Sequence, residues 1–288
     1  MSETENQTLP KPIQHPIQHR RHPQILPAIA ILLIPILTLF SPSRARAEQT
    51  PQATAAFNTY AAAVESRLQA QHQSPTAFLA NVTPQTAQQL RSGELVIEHV
   101  SEPNSSAEIP GALLHHWRGT AFAPGATAAA FEQMLRGFDA YPRIFAPQVL
   151  KAQAAAQPNG HLLASMRTRQ KHVLTVVMDS AYDVAFTQLN PRQGSSISRS
   201  TAIAEIADPG AADEHRLTAA EEHGFLWRLN TYWTWEERDG GLYIQVESVS
   251  LTRSIPTGLG WAIRPFVESV PRESLQFTLR SACNAVRK

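Results

Sequence analysis

The sequence predicts an α+β domain in which antiparallel strands pack against a long C-terminal helix. Two features predict this class: an aromatic β-hairpin between residues 225 and 252, and an amphipathic helix that closes the chain. The hairpin has one aromatic face and the helix has one apolar stripe. Each surface has to be buried, and each is the nearest apolar surface available to the other.

The hairpin is predicted from alternation. In residues 225–237 apolar and polar positions alternate, which is typical of a half-buried strand. The apolar positions are Phe225, Trp227, Leu229, Trp233 and Trp235. The return strand, residues 242–252, places Leu242, Ile244 and Val246 on one face and Tyr243, Gln245 and Glu247 on the other.

Two registers of this hairpin keep its apolar residues on one face. The segment Asp239-Gly240-Gly241 supplies residues that tolerate a positive φ. A loop at Asp239-Gly240 places Trp235 opposite Ile244 and Trp233 opposite Val246. A loop at Gly240-Gly241 places Trp235 opposite Val246 instead. A slip by one residue between these registers would separate the aromatic and aliphatic faces.

The terminal helix is predicted to begin at Pro271, because proline suits a first helical position and Glu273 would then lie near the positive end of the helix dipole. Its apolar positions recur with helical spacing and form one stripe, comprising Leu275, Leu279, Ala282, Cys283 and Val286.

Upstream segments complete the predicted order of elements. A helix is expected near residues 53–71, where Phe57, Tyr60, Val64 and Leu68 share a face. Residues 95–100, 162–169, 173–186 and 196–206 are predicted strands, and residues 103–110 and 208–213 are predicted loops.

Residues 119–147 carry a family resemblance. The segment Gly119 to Phe131, followed by Met134 to Pro147 with its Phe138-Asp-Ala-Tyr-Pro142 core, resembles the opening of START-related, polyketide-cyclase-like (SRPBCC) domains. The resemblance spans residues 111–288 and implies a helix-grip fold, in which a curved antiparallel sheet holds a long C-terminal helix. Members of this superfamily include lipid carriers, hormone receptors and cyclases, so one fold serves several activities.

The resemblance also implies a cavity between sheet and helix for a hydrophobic small molecule or lipid. The residues expected to line it are Trp227, Leu229, Trp233, Trp235, Ile244, Val246, Phe138, Tyr141, Phe145, Leu275 and Leu279. Arg167 and Arg169 lie at alternate positions of one strand, where a pair of guanidinium groups could bind an anionic head group. A solvated convex sheet face is the favoured explanation of these two arginines, because Arg228 falls on the face opposite the tryptophans.

Three functions are therefore considered. The first is an exported binding protein for a hydrophobic molecule. The second is a cyclase-like enzyme acting on a bound polyketide-type substrate, for which polar cavity residues would act as acid and base. The third is a structural or interaction module whose aromatic core is filled by side chains, since closing a core against the last helix fully accounts for the tryptophans.

The N-terminus predicts export. Arg20-Arg21 precede an apolar run from Ile25 to Phe40, and Ala45-Arg46-Ala47 has small residues at cleavage-site spacing. We expect residues 1–47 to be a signal peptide, residues 48–110 a helical extension with a linker, and residues 111–288 the START-like domain. The apolar run is 16 residues long, shorter than the ~20 that span a bilayer. The expected location is the periplasm or the exterior of a bacterial cell, without a membrane anchor after cleavage.

Composition excludes other functions. Without residues 1–47 the net charge changes from +1 to about −2, which does not favour nucleic acid as a partner. The single cysteine, Cys283, precludes an internal disulfide. His115 and His116 are adjacent on a predicted strand and face opposite sides, so they cannot share a metal ion. The chain has no Gly-x-Ser-x-Gly elbow and no complete dinucleotide fingerprint, so no cofactor, metal or dedicated catalytic residue is expected.

Overall fold

The computed structural model describes residues 49–74, 77–101, 109–171, 175–254 and 260–287. The predicted signal peptide at 1–47 lies outside these residues, as does most of the loop predicted at 103–110.

The described chain contains five α-helices, a single-turn 3₁₀ helix and nine strands. The helices are α1 Pro51–His72, α2 Pro84–Arg91, α3 Ala128–Arg136, α4 Tyr141–Ile144 and α5 Gly260–Val286, with the 3₁₀ turn at Phe138–Ala140. The strands are β1 Val96–His99, β2 Ala112–Pro124, β3 Val149–Ala156, β4 Leu162–Lys171, β5 Thr175–Asn190, β6 Gln193–Ala207, β7 His215–Arg216, β8 Arg228–Arg238 and β9 Gly241–Arg253.

The strands form an antiparallel sheet in the order β1-β2-β9-β8-β6-β5-β4-β3, with the short β7 paired to β6. From β3 to β9 the chain runs as a meander, and β9 then pairs with β2. A bulge where Ala181 and Tyr182 of β5 pair with β6 bends the long central strands. The predicted fold class is confirmed: a curved antiparallel sheet with a C-terminal helix and N-terminal helices, which is the helix-grip arrangement.

The hairpin adopts the first of the two predicted registers. Trp235 pairs with Ile244, and Trp233 pairs with Val246. The two loop residues, Asp239 and Gly240, have φ values of 57° and 76°. Positive φ at both central residues is the type I′ pattern, whose twist matches that of the flanking strands.

Helix α5 lies on the concave face of the sheet and makes close contact with β2. A Cβ added at Gly119 would lie 2.5 Å from Leu279 Cδ1 and 3.1 Å from Leu275 Cδ2, so glycine permits this approach. The α5 stripe packs with β2, β8 and β9 and with the aromatic side chains of the α3 to α4 segment in one apolar cluster.

Helix α1 covers the opposite, convex face. Thr50 caps its N-terminus, where its side chain accepts a hydrogen bond from Ala53 N at 3.1 Å. Its predicted apolar face, including Phe57 and Val64, packs against Tyr232, Val249 and neighbouring residues of the sheet. The predicted N-terminal helical extension is therefore docked on the sheet.

The predicted start of the terminal helix is wrong. Helix α5 begins at Gly260, eleven residues before Pro271, which lies inside the helix together with Glu273. An internal proline removes one backbone donor from the helix. We attribute the tolerance of Pro271 to the packing of the apolar stripe that follows, because tertiary burial supplies most of a helix's stability in a protein.

The predicted start of the aromatic strand is also wrong. Strand β8 begins at Arg228, and Phe225 is 43% exposed in the preceding loop. This loop is fixed by the buried carboxylate of Glu205, which accepts hydrogen bonds from Gly224 N at 2.9 Å and Phe225 N at 3.1 Å. The alternation of the strand does not extend into this loop, so it does not determine the direction of the Trp227 side chain. Trp227 lies on the convex face, where it packs with Tyr232 and α1.

Candidate functional site

The concave face is built from rows of side chains that run across paired strands. One row consists of Ala121, Ile244, Trp235 and Gly194 on β2, β9, β8 and β6. The next consists of Gly119, Val246, Trp233 and Ser196. Both rows are buried: Ile244 is 0% exposed, Trp235 1% and Ser196 3%. We call these two rows the sealed end.

The following row has a different character. It consists of Trp117, Ser248, Thr231 and Ser198, which are successive partners on the same four strands. All four are half-buried, although they lie on central strands beneath the face that holds α5. We call this the hollow row.

Beyond the hollow row the sheet is mostly buried again. His115 pairs with Ser250, which is 7% exposed, and Ser250 pairs with Leu229. His115 Nε2 lies 3.2 Å from Thr252 Oγ1, and Ser200 Oγ accepts a hydrogen bond from Leu229 N at 2.9 Å. The hollow row is therefore more accessible than the rows on either side of it, apart from Leu229, which is also half-buried.

The hollow row carries polar groups. Trp117 packs at the edge of the apolar cluster, and its indole Nε1 is buried without a hydrogen-bond partner among the residues that the structure describes. His99 contacts the Trp117 ring edge-on, with centroids 5.2 Å apart. A buried Trp N–H normally has an acceptor. On the convex face, Trp227 Nε1 and Arg228 Nε are also buried without a hydrogen-bond partner among the described residues. The unpaired nitrogen of Trp117 is therefore informative only together with the half-buried row to which Trp117 belongs.

The structure divides the predicted cavity residues into three groups. One group lies in the packed apolar cluster with α5, namely Trp233, Trp235, Ile244, Val246, Phe138, Tyr141, Phe145, Leu275 and Leu279. Leu229 is half-buried and lies beside the hollow row. Trp227 lies on the other face of the sheet, so its predicted position between sheet and α5 is wrong.

The aromatic segment after α3 closes the sealed end. Phe138 and Tyr141 stack with ring centroids 4.6 Å apart, and Tyr141 meets Phe145 edge-on at 5.0 Å. The Tyr141 hydroxyl donates to Leu135 O at 2.7 Å, and burial raises the pKa of this phenol. A neutral, hydrogen-bonded tyrosine of this kind holds the segment against the core.

The two predicted head-group arginines lie away from the concave interior. Arg167 and Arg169 alternate with Ala164 and Met166, which face the apolar cluster. Arg167 donates to both carboxylate oxygens of Asp179, at 2.6 Å and 2.9 Å. A hydrogen bond from Arg167 lowers the pKa of Asp179. This arrangement supports the solvated outer face rather than head-group binding inside the fold.

A buried ionic cluster lies on the convex face under α1. Glu247, 1% exposed, accepts hydrogen bonds from Arg118 Nε at 2.8 Å and from Arg67 of α1, and it contacts His116 Nε2 at 2.8 Å. Burial alone would raise the pKa of Glu247, but these partners outweigh it and hold the pKa at about 2. Tyr60 OH lies 2.9 Å from His116 Nδ1, so the cluster fixes α1 to the sheet.

Two further observations bear on function. Within the described ranges no group of three or more His, Cys, Asp or Glu side chains could hold a metal ion. Of the helices that the structure describes, none combines the length and the apolar character required to cross a membrane.

The residues of the hollow row were missed by the sequence prediction, although a signal for them exists. On β9 the concave positions run Leu242, Ile244, Val246, Ser248, Ser250 and Thr252, so the stripe changes from aliphatic to hydroxyl-bearing residues without a change of period. Trp117 was missed because the strand after residue 111 was considered only for its adjacent histidines.

The chain is similar to known proteins in structure only. No family model matches the sequence, and no curated protein is significantly similar to it. Several solved structures resemble the fold. A START superfamily protein from Mycobacterium smegmatis is 11% identical, with a TM-score of 0.39, and the match covers 61% of this chain and 96% of that one.

Two further structures are similar at the same level. A STAR-related lipid transfer protein from Xanthomonas axonopodis is 14% identical over 67% of this chain and 99% of its own, with a TM-score of 0.41. The di-domain ARO/CYC protein BexL is 15% identical over 61% of this chain and 51% of its own, with a TM-score of 0.42. At these values the likeness concerns the arrangement of elements, and neither ligand nor activity is transferred by it.

Proposed function

We propose that the protein binds a hydrophobic small molecule, such as a lipid, in the gap at the hollow row between the concave sheet and α5. The observation that carries this proposal is the half-buried state of four successive cross-strand neighbours, Trp117, Ser248, Thr231 and Ser198, between rows that are buried apart from Leu229. We interpret this accessibility as a gap, and because natural protein interiors contain few voids, an occupant is expected there.

The walls of the gap suit a molecule that is mainly apolar. Trp233 and Val246 bound it on the side of the sealed end, and Leu229 bounds it on the other. Small-molecule sites are typically apolar with a few placed polar groups. The hydroxyls of Ser248, Thr231 and Ser198 supply such groups.

The proposal is tested by recovering a ligand. The protein is purified from its native source without detergent, and an organic extract is analysed by mass spectrometry for molecules present near stoichiometry. A bound hydrophobic compound is expected. Binding of the neutral dye Nile red to the delipidated protein provides a second readout, in which fluorescence should rise and saturate at one site.

A space-filling variant provides the matched control. Ser248→Phe should fill the gap, remove Nile red binding and leave the melting temperature nearly unchanged, whereas Thr187→Phe, at an exposed position of β5, should alter neither property. If the interior is filled by side chains, Ser248→Phe overpacks it and costs about 1–3 kcal/mol of stability. That loss, combined with no dye binding by the parent protein, would overturn the proposal in favour of a structural module.

We also propose that residues 1–47 direct export and are removed, so that the mature protein begins near Glu48. The proposal is supported by the short apolar run followed by small residues. N-terminal sequencing of the protein recovered from the periplasm or medium should read from Glu48. An intact Met1 on a membrane-bound species would contradict it.

A further inference from the structure

We propose that the protein forms a symmetric dimer in which β3 pairs antiparallel with β3 of a second copy. The observation that carries this inference is the outer edge of β3, which has no strand partner in the part of the chain that the structure describes. This edge lies outside the hollow row, so the dimer does not depend on the proposed binding function.

The two edges of the sheet differ in how well they are protected against pairing. At one edge β1 has only four residues and carries the charged Glu98. At the other, β3 has eight residues, and its positions 151–156 pair with β4 without a register shift. Natural sheets protect exposed edges with short strands, charged side chains, prolines or bulges. Residues 152–156, Ala-Gln-Ala-Ala-Ala, contain no charge and no proline.

The β3–β4 hairpin shows which backbone groups of β3 point outward. Gln157 N donates to His161 O at 2.8 Å, so the Gln157 amide faces β4. Opposed residues of an antiparallel pair alternate between hydrogen-bonded and non-hydrogen-bonded pairs. The N–H and C=O groups of Ala152, Ala154 and Ala156 therefore point away from β4 and form a row of donors and acceptors along the edge.

This row is complementary to itself. With a two-fold axis centred on Ala154, that residue lies opposite its own copy, and Ala152 lies opposite Ala156 of the second copy. All three outward-pointing residues then form hydrogen bonds across the contact. A second copy satisfies both edges at once, whereas another extended segment would have to supply an unpaired edge of its own. Because each copy contributes the same edge, the contact closes at two copies.

The side chains are compatible with this register. Lys151 falls opposite Gln157, and Gln153 falls opposite Ala155, so no like charges meet across the axis. Leu163, the direct β4 partner of Ala155, is 50% exposed. It is an apolar side chain beside the edge that a second copy would help to cover.

Sedimentation velocity of the purified protein at micromolar concentrations tests the dimer. The parent should sediment with twice the mass of one chain. Ala154→Lys places two like charges directly opposite each other at the axis and should give a monomer. Thr187→Lys adds the same charge at an exposed position of β5 and should remain dimeric. Circular dichroism melts establish that both variants are folded.

Cysteine cross-linking tests the register with smaller substitutions. Directly opposed residues of a hydrogen-bonded pair have Cα atoms about 5.5 Å apart, within the range of a disulfide, so Ala154→Cys should give a covalent dimer with copper phenanthroline. The two copies of Ala156 would lie about 13 Å apart along the strands, so Ala156→Cys should not cross-link. Cys283 is buried and forms a background common to both variants.

Two results would overturn the dimer. One is a parent protein that is monomeric at all these concentrations. The other is a dimer whose mass is unchanged by Ala154→Lys, because the contact would then lie elsewhere on the surface. Equal cross-linking of Ala154→Cys and Ala156→Cys would contradict a two-fold axis centred on Ala154.

Discussion

The two ends of the concave face are made by the same four strands and differ only in their side chains. At the sealed end, Trp235 and Ile244 pair across β8 and β9 and are fully buried against α5. Four residues along the same strands, Thr231 and Ser248 pair in the same geometry and are half-buried. The pleat is therefore constant, and the change from large apolar to hydroxyl-bearing side chains separates fully buried positions from half-buried ones.

The two faces of the sheet differ in another way. On β2, β6, β8 and β9 the arginine side chains lie on the convex face with α1, whereas the concave positions of these described strands, beside α5, carry no Arg or Lys. This separation allows charge to stabilise the docking of α1 without entering the interior.

The largest effect is expected at the sealed end. Leu279→Asp replaces a fully buried leucine of α5 with a carboxylate that has no cationic partner in the described cluster, and it should cost at least ~4 kcal/mol or prevent folding. Chemical denaturation measures the loss. Arg280→Asp, at the exposed neighbouring position, should change stability little. A Leu279→Asp protein as stable as the parent would show that α5 packs elsewhere.

Truncation along β8 compares the two ends directly. Trp235→Ala should cost about 3–5 kcal/mol because it empties a tightly packed site, whereas Thr231→Ala should cost less than about 1 kcal/mol. Both losses of stability are measured by urea denaturation, with the same m-value applied to the parent and the two variants. Similar losses at the two positions would mean that the hollow row is as well packed as the sealed end.

On the convex face, lowering the pH should remove the contribution of the ionised Glu247 carboxylate to the free energy of unfolding. Its pKa is about 2 in the folded protein and 4.5 as a free side chain, so its stabilisation is complete above pH 4.5 and is lost as the pH falls towards 2. The difference corresponds to roughly 3 kcal/mol. The measurement is the stability of the parent minus that of Glu247→Gln from pH 6 to pH 2.

The comparison with Glu247→Gln is read between pH 4.5 and pH 2, where this carboxylate titrates. Burial lowers the pKa of His72 and the charge of Glu247 partly opposes this, so the substitution also alters His72, whose protonation destabilises the fold as the pH falls below 6.5. Asp179, whose pKa is lowered chiefly by its hydrogen bond with Arg167, is common to both proteins. A stability difference that does not change between pH 4.5 and pH 2 would contradict the assigned role of Glu247.

Local patterns in the sequence predict most of this fold. Period-two alternation with an Asp-Gly-Gly turn limited β8 and β9 to two registers, one of which the structure adopts, and a single apolar stripe predicted the packing of α5. The errors occur where a long-range contact overrides a local pattern. Glu205 holds Phe225 in a loop from a distant strand, and tertiary packing accommodates Pro271 within α5.

The candidate site was less predictable. Aromatic residues were expected to line a cavity, yet the structure places most of them in the packed cluster. An aromatic face forms part of a core or lines a binding site according to the volume that neighbouring elements leave beside it. The residue pattern of one strand does not determine this volume. The role of the predicted cavity residues in binding remains a prediction, and Ser248 is the residue at which it is best tested.

The most direct test of the account is access to the gap, measured by thiol labelling at two serines of the concave face. Ser248→Cys lies in the hollow row, and Ser196→Cys lies at the sealed end, so the substitution is chemically matched. The native Cys283 is a silent background, because burial raises the pKa of its thiol to about 11. The reagent is methyl methanethiosulfonate, which is small and uncharged.

In native buffer, Ser248→Cys should react at least about tenfold faster than Ser196→Cys, whose reaction should require unfolding and track global stability. Adding a hydrophobic ligand that binds the protein should slow the labelling reaction of Ser248→Cys but not that of Ser196→Cys. Equal rates at the two positions, both limited by global unfolding, would contradict the account, because the concave interior would then be closed along its whole length.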